Sequence, residues 1–152
     1  MGKKLLREFY ELCDGGICQD LLTEAEKKFV SEGGMILSGL MQMCEVENGN
    51  KRVYTEDVLK REVKKYAKLV ETGRALGELD HPDKVEVSLQ FVSHKVTNIW
   101  MDGNKVMGKI QVLDTPAGKT LRALVDGGCA IGISSRGTGS VQEQGGRSIV
   151  QE

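Results

Sequence analysis

Apolar positions along this chain follow two alternating periods, and each change of period marks an element. Lys4 to Leu12 reads as a short helix. A second helix is signalled by Thr23-Glu24-Ala25-Glu26, a capping box in which hydroxyl and carboxylate each satisfy an orphan amide, and Gly33-Gly34 stops it. Residues 1–34 are therefore expected to form a helical N-terminal segment. Met35 to Val46 is a nearly continuous apolar run with Gly39 inside, which predicts a buried strand with a bulge or a close backbone approach. Asn48-Gly49-Asn50 turns the chain. From Thr55 the period is helical: Leu59, Val63, Tyr66, Ala67 and Val70 form one stripe, while Lys60, Arg61, Glu62, Lys64 and Lys65 face away.

Strand periodicity then returns. Val85, Val87, Leu89 and Phe91 alternate with polar residues, Val92 to Met101 leads to an Asp102-Gly103 turn, and Val106 to Leu113 comes back as the second arm of a hairpin. Thr115-Pro116 opens a helix with Leu121, Leu124 and Val125 on its buried stripe, and Gly127-Gly128 ends it. A strand from Ala130 to Ser135 runs into the glycine-rich turn Arg136-Gly137-Thr138-Gly139, and Gly145-Gly146 predicts a final hairpin. The fold class is α+β, a mostly antiparallel sheet or barrel with flanking helices, in a single domain over residues 1–152.

Composition narrows the functional classes. The 152 residues can bury a core without staples, and a net charge of -1 leaves no electrostatic footprint for nucleic acid or a membrane surface. The basic residues after Thr55 are interspersed with Glu56, Asp57 and Glu62, which marks a solvated helix face. No apolar run approaches the roughly 20 residues of a membrane span, and no leader pattern stands at Met1, so a soluble, unexported protein is expected. Cys13, Cys18, Cys44 and Cys129 lack metal-site or redox spacing and are expected as reduced thiols.

Chemistry concentrates in two segments, Gly77-Glu78-Leu79-Asp80-His81-Pro82 and Gly132-Ile133-Ser134-Ser135-Arg136-Gly137-Thr138-Gly139-Ser140. Pro82 disfavours helix at His81, leaving the imidazole in an extended segment between helix and sheet. Strand alternation sets Ile131, Ile133 and Ser135 on one face and Ala130, Gly132 and Ser134 on the other, so Ser134 faces outward if the isoleucines face the core. The glycines beyond it predict a turn whose successive amides converge on an oxyanion. Alone, that segment also fits a polar turn after a strand, and a phosphate loop is disfavoured because the lysine of a P-loop is missing. His94, in phase with Val92 and Val96, is expected to be a partly buried histidine satisfied by hydrogen bonds, and conceivably an orienter of His81. Glu78, Asp80, His81 and His94 have ligand chemistry without metal-site spacing, so no metal and no cofactor are expected. Cys129 is a rival nucleophile, although a small thiol after Gly127-Gly128 is more often a core filler.

The run Asn48 to Tyr54, the segment Gly77 to Pro82, the stretch Val92 to Thr97 leading to Trp100, and Gly132 to Ser140 together resemble, in order and spacing, the prohead core proteases of tailed bacteriophages. The resemblance implies a serine protease of the herpesvirus assemblin type. His81 would be its base, Ser134 its nucleophile, and Arg136 and Gly137 its oxyanion site. The third member would be His94 or absent from this chain, because relatives continue past Glu152 into a strand with an acidic residue; the domain is accordingly expected to be truncated at its C-terminal end. The family clears scaffold and trims capsid proteins inside the assembling prohead, in the host cytoplasm, and cuts after glutamate. Scaffold and capsid proteins are thus the implied partners, with self-association also open. A catalytically silent head-assembly component of the same fold is the alternative.

Overall fold

The computed structural model of the chain describes residues 4–11, 22–49, 51–79, 87–129, 131–139, 141–144 and 147–150. In order, the elements are β1 (Lys4–Glu11), α1 (Glu24–Ser31), β2 (Ile36–Met43), β3 (Arg52–Tyr54), α2 (Glu56–Glu71), β4 (Leu76–Glu78), a 3-10 turn (Leu89–Phe91), β5 (Val92–Asp102), β6 (Lys105–Val112), α3 (Pro116–Asp126), β7 (Gly132–Gly139), β8 (Val141–Gln144) and β9 (Arg147–Val150). The central sheet has the order β2-β6-β5-β4, antiparallel throughout. Strands β1 and β7 pair antiparallel, and β1 lies against β2. The third sheet, β3-β9-β8, contains the one parallel pair among the described residues, β3 with β9. Helix α2 packs on β5, and α3 on β5 and β6. The class is α+β, as the periodicity predicts.

The core collects the inward phase of the central strands, Leu37, Val96, Val106, Ile110 and Val112, with Leu59 from α2, Leu121 from α3, Leu6 from β1 and Val150 from β9. Burying such side chains contributes roughly 1.5–3 kcal/mol each. The anticipated irregularity in β2 is present: Gly39 has φ of +148° opposite Gly108, and the register shifts between Leu40 and Gln42. A Cβ on Gly108 would meet the Met41 sulfur at 2.3 Å, so the glycine there makes room for that side chain.

Helix α1 begins as its capping box predicts, with the Thr23 amide donating to Glu26 Oε1 at 2.9 Å and the Glu26 amide donating to Thr23 Oγ1 at 3.2 Å. None of its residues is buried. It is fastened to the sheet by Lys109, whose ammonium donates to the same Glu26 oxygen at 2.6 Å and lies 6.0 Å from the Trp100 ring centre. The Lys109 side chain is only 7% exposed and that of Glu26 19%, so a buried lysine meets a half-buried carboxylate.

Three expectations fail locally. Lys4–Glu11 is a strand, so residues 1–34 are not helical throughout. Its apolar pairs are compatible with either period, and eight consecutive register partners on β7 decide the outcome. Leu89–Phe91 is a 3-10 turn, with the Phe91 amide donating to the Ser88 carbonyl at 3.0 Å, and the strand begins only at Val92. The third failure, the turn after Ser135, concerns the site.

Candidate active site

Ser134 sits on β7, and β7 is positioned by the first strand of the chain. The register pairs Ser134 with Phe9, Ser135 with Glu8, Arg136 with Arg7 and Gly137 with Leu6. Leu6 is 4% exposed, inside the core, and Ile131 and Ile133 pack half-buried against that core. Directly opposed residues of an antiparallel pair share a face, so positions 131, 133, 135 and 137 form the core phase and positions 132, 134 and 136 the other. By register Ser134 falls in the phase opposite to Leu6, Ile131 and Ile133.

The expected glycine-rich turn over Arg136 to Gly139 is not there. Strand β7 runs extended to Gly139, held by β1 as far as Lys4. Successive amides of a strand point to opposite edges, so those of Arg136 and Gly137 do not converge on one point as turn amides would. The convergent oxyanion nest is corrected to, at most, one of these amides on a given edge.

The segment leading to His81 is anchored in β4. Gly77 lies opposite His94 in the ladder, and a Cβ on it would meet the His94 Nε2 atom at 2.0 Å. Glycine is required here because the imidazole occupies the space a side chain would need. Glu78 Oε1 accepts from the Ser88 amide at 2.8 Å, and the Leu79 amide donates to the Phe91 carbonyl at 3.3 Å. These two bonds bring together both ends of the segment that carries Asp80, His81 and Pro82. Those three residues themselves lie outside the described residues, as do Cys13, Cys18, Ser140 and Glu152.

His94 behaves as a packed histidine. Its Nδ1 shares a hydrogen bond with the Ser93 hydroxyl at 2.8 Å, and Ser93 is wholly buried. Burial depresses its pKa to about 4, so the ring is neutral near pH 7. One ring nitrogen is thereby engaged by Ser93 while the other lies over Gly77.

The cysteines divide. Cys44 is buried and its thiol is pushed up by desolvation, reinforced by Glu56 and Glu45. Cys129 is free and exposed at the end of α3, with its amide donating to the Leu124 carbonyl, so it is not a core filler. Among the described residues no group of three or more His, Cys, Asp or Glu side chains gathers in metal-binding range, and no helix is long and apolar enough to cross a membrane.

Sequence reasoning missed the part played by β1. A segment read as helix offered no reason to pair Arg7 and Phe9 with the serine strand. The only available signal was the length of the glycine-rich stretch after Ile133, which cannot pack by its own side chains and needs a partner strand.

Comparison with known proteins agrees with this architecture. The family described as prohead core protein serine protease matches residues 9–152. The prohead core protein protease of Enterobacteria phage T4 is 37% identical over 123 residues, covering 78% of this chain and 58% of the T4 protein, so the chain spans less than two thirds of that relative. The solved structure of the bacteriophage T4 capsid assembly protease superposes with a TM-score of 0.81 at 31% identity, covering all of this chain and 92% of that one. On the extent of the family match, this chain belongs to the prohead core protein serine proteases.

Proposed function

We propose that the protein is a serine endopeptidase of prohead maturation, in which Ser134 is the nucleophile and His81 the base. It acts on phage scaffold and capsid proteins inside the assembling prohead and cuts after glutamate. The observation that carries the reading is the position of Ser134: on a strand, in the phase opposite to Leu6, Ile131 and Ile133, in a chain matched by the family from residue 9 onward.

The chemistry is acyl transfer. A serine hydroxyl attacks a peptide carbonyl only when a base takes its proton, which requires His81 within roughly 2.6–3.2 Å of Ser134 in the competent state. The proton passes to the leaving amine, and water then hydrolyses the acyl-enzyme with the same imidazole as base. Amide donors to the oxyanion contribute about 2.7–4 kcal/mol each in comparable sites. The Arg136 or Gly137 amide, whichever faces the substrate edge, supplies one such donor. His94 supports the segment bearing His81 from below Gly77, and that role suits its buried, neutral state better than orienting the base.

The test is labelling with a fluorophosphonate serine probe, run beside a thiol probe, together with cleavage of a glutamate-containing scaffold peptide. Wild type and Ser135→Ala are expected to react with the serine probe and to cut, and Ser134→Ala to do neither. Activity in Ser134→Ala with loss in Ser135→Ala would reverse the strand phase. Labelling of Cys129 alone, with activity lost on its replacement, would make the protein a cysteine hydrolase. A wild-type protein inert to both probes would be a silent assembly component.

A further inference from the structure

The β4–β5 ladder changes register where the chain leaves it for His81. Gly77 pairs with His94 but Glu78 pairs with Val92, so Ser93 is the extra residue of a bulge. That residue is held from two sides: its hydroxyl shares a hydrogen bond with His94 Nδ1 at 2.8 Å, and its carbonyl accepts from the Leu113 amide at 2.9 Å. Bulges re-aim a side chain or terminate pairing. Both occur here, since β4 ends at Glu78 and the Glu78 carboxylate reaches ten positions ahead to accept from the Ser88 amide at 2.8 Å. One residue further, the Leu79 amide donates to the Phe91 carbonyl at 3.3 Å. A side chain, and not a continued ladder, thus ties the start of the segment bearing His81 to its end.

We propose that Glu78 is a positioning residue for the base, its carboxylate clasping Ser88 so that the segment between them presents His81 to Ser134. The inference rests on the reading of His81 as base and Ser134 as nucleophile. A general base must stand within roughly 2.6–3.2 Å of the proton it takes, and a displacement of about 1 Å costs about 100-fold in rate. Fixed ends are therefore needed. Strand β4 is only three residues long and Ser88 belongs to no strand, so the ladder alone does not join them. A carboxylate accepting from a backbone amide is charge-assisted and stronger than a neutral acceptor would be. What the role requires is an acceptor oxygen at the correct reach. Negative charge by itself does not meet that requirement.

Two conservative variants of the full chain separate reach from charge. Glu78→Gln keeps an acceptor oxygen at the same distance from the backbone, while Glu78→Asp keeps the charge and withdraws it by one methylene. In cleavage of the scaffold peptide, Glu78→Asp is expected to lower kcat roughly 10–100-fold with KM within about threefold, and Glu78→Gln to stay within about fivefold in both. Amide hydrogen exchange at Ser88 reads the clasp without any turnover: it should quicken about tenfold or more in Glu78→Asp and hold near wild type in Glu78→Gln. In a His81→Ala background, Glu78→Asp should lower the residual rate no further, because the two residues act as a unit. Wild-type kcat in Glu78→Asp, a Glu78→Gln variant as impaired as Glu78→Asp, or additive losses with His81→Ala would each overturn the proposal. The protease reading fails separately, through a wild type that neither labels nor cuts, and takes this role with it.

Discussion

At Gly77 a missing side chain is a requirement of packing, because the His94 ring fills the place of its Cβ. Gly77→Ala forces the imidazole off its Ser93 bond or the β4 backbone away from β5, and overpacking of this kind costs about 1–3 kcal/mol. Urea unfolding should show that loss, and His94→Ala in the same chain should recover part of it, a coupling that a double-mutant cycle reads directly. His94 also makes stability depend on pH. Burial holds its folded pKa near 4, below the ordinary value of 6.5, so between those values the unfolded chain binds the extra proton. Its contribution is complete above about pH 6.5 and is lost as pH falls toward 4, by up to about 3 kcal/mol. Melting temperatures measured from pH 7 to pH 4 should fall for wild type and flatten for His94→Gln. Glu26 adds a loss of the same sign at lower pH: burial raises its pKa, but the Lys109 ammonium with the Thr23 amide and hydroxyl outweighs this and leaves the carboxyl below its ordinary range.

Among the elements, helices were the more legible, because their signals are local. Thr23 to Glu26 and Thr55 each carry a capping hydroxyl next to the amides it satisfies, and Thr115-Pro116 does so with proline at the first turn. The core phase of β7 was legible for a similar reason, since Ile131 and Ile133 stand at period two and both pack against the core. What could not be read was pairing over long separations. Whether Lys4–Glu11 is helix or strand is decided by a partner that begins at Gly132. The Lys109–Glu26 bond was illegible likewise, an ionised lysine in a strand otherwise read as one arm of a hairpin. It gives an element-level prediction: with no buried residue of its own, α1 depends on this contact. Glu26→Ala removes both the Lys109 ion pair and the reciprocal half of the capping box, so it should cost more than Thr23→Ala, which removes only a cap at about 1 kcal/mol. Urea midpoints of the two variants compare them directly.

Over the whole molecule, the three sheets are joined by strands drawn from distant parts of the sequence. Strand β9 lies between β3 and β8, and its Val150 is 1% exposed within the common core. Removing residues 147–152 would leave both neighbouring strands without their partner and open the core, so that chain should lose a cooperative thermal transition by near-ultraviolet circular dichroism. The wild type should keep one.

The pairing of β1 with β7 carries a consequence for the order of events on the ribosome. The strand that bears Ser134 is seated by residues made well before it. Synthesis proceeds from the N-terminus at about 5–20 residues per second, so Lys4–Glu11 waits for all the intervening chain to be made before β7 emerges to pair with it. A nascent chain can complete the central sheet, with β4, β5, β6 and α2 in place, and still possess no serine strand. With Ser134 as the nucleophile proposed above, hydrolytic competence cannot precede the pairing of β1 with β7, and a chain still short of β7 would be harmless to the proteins around it. Stalled chains ending before Gly132 should fold their hairpin yet remain blind to a serine-directed probe, and full-length chains lacking Lys4–Glu11 should share that blindness.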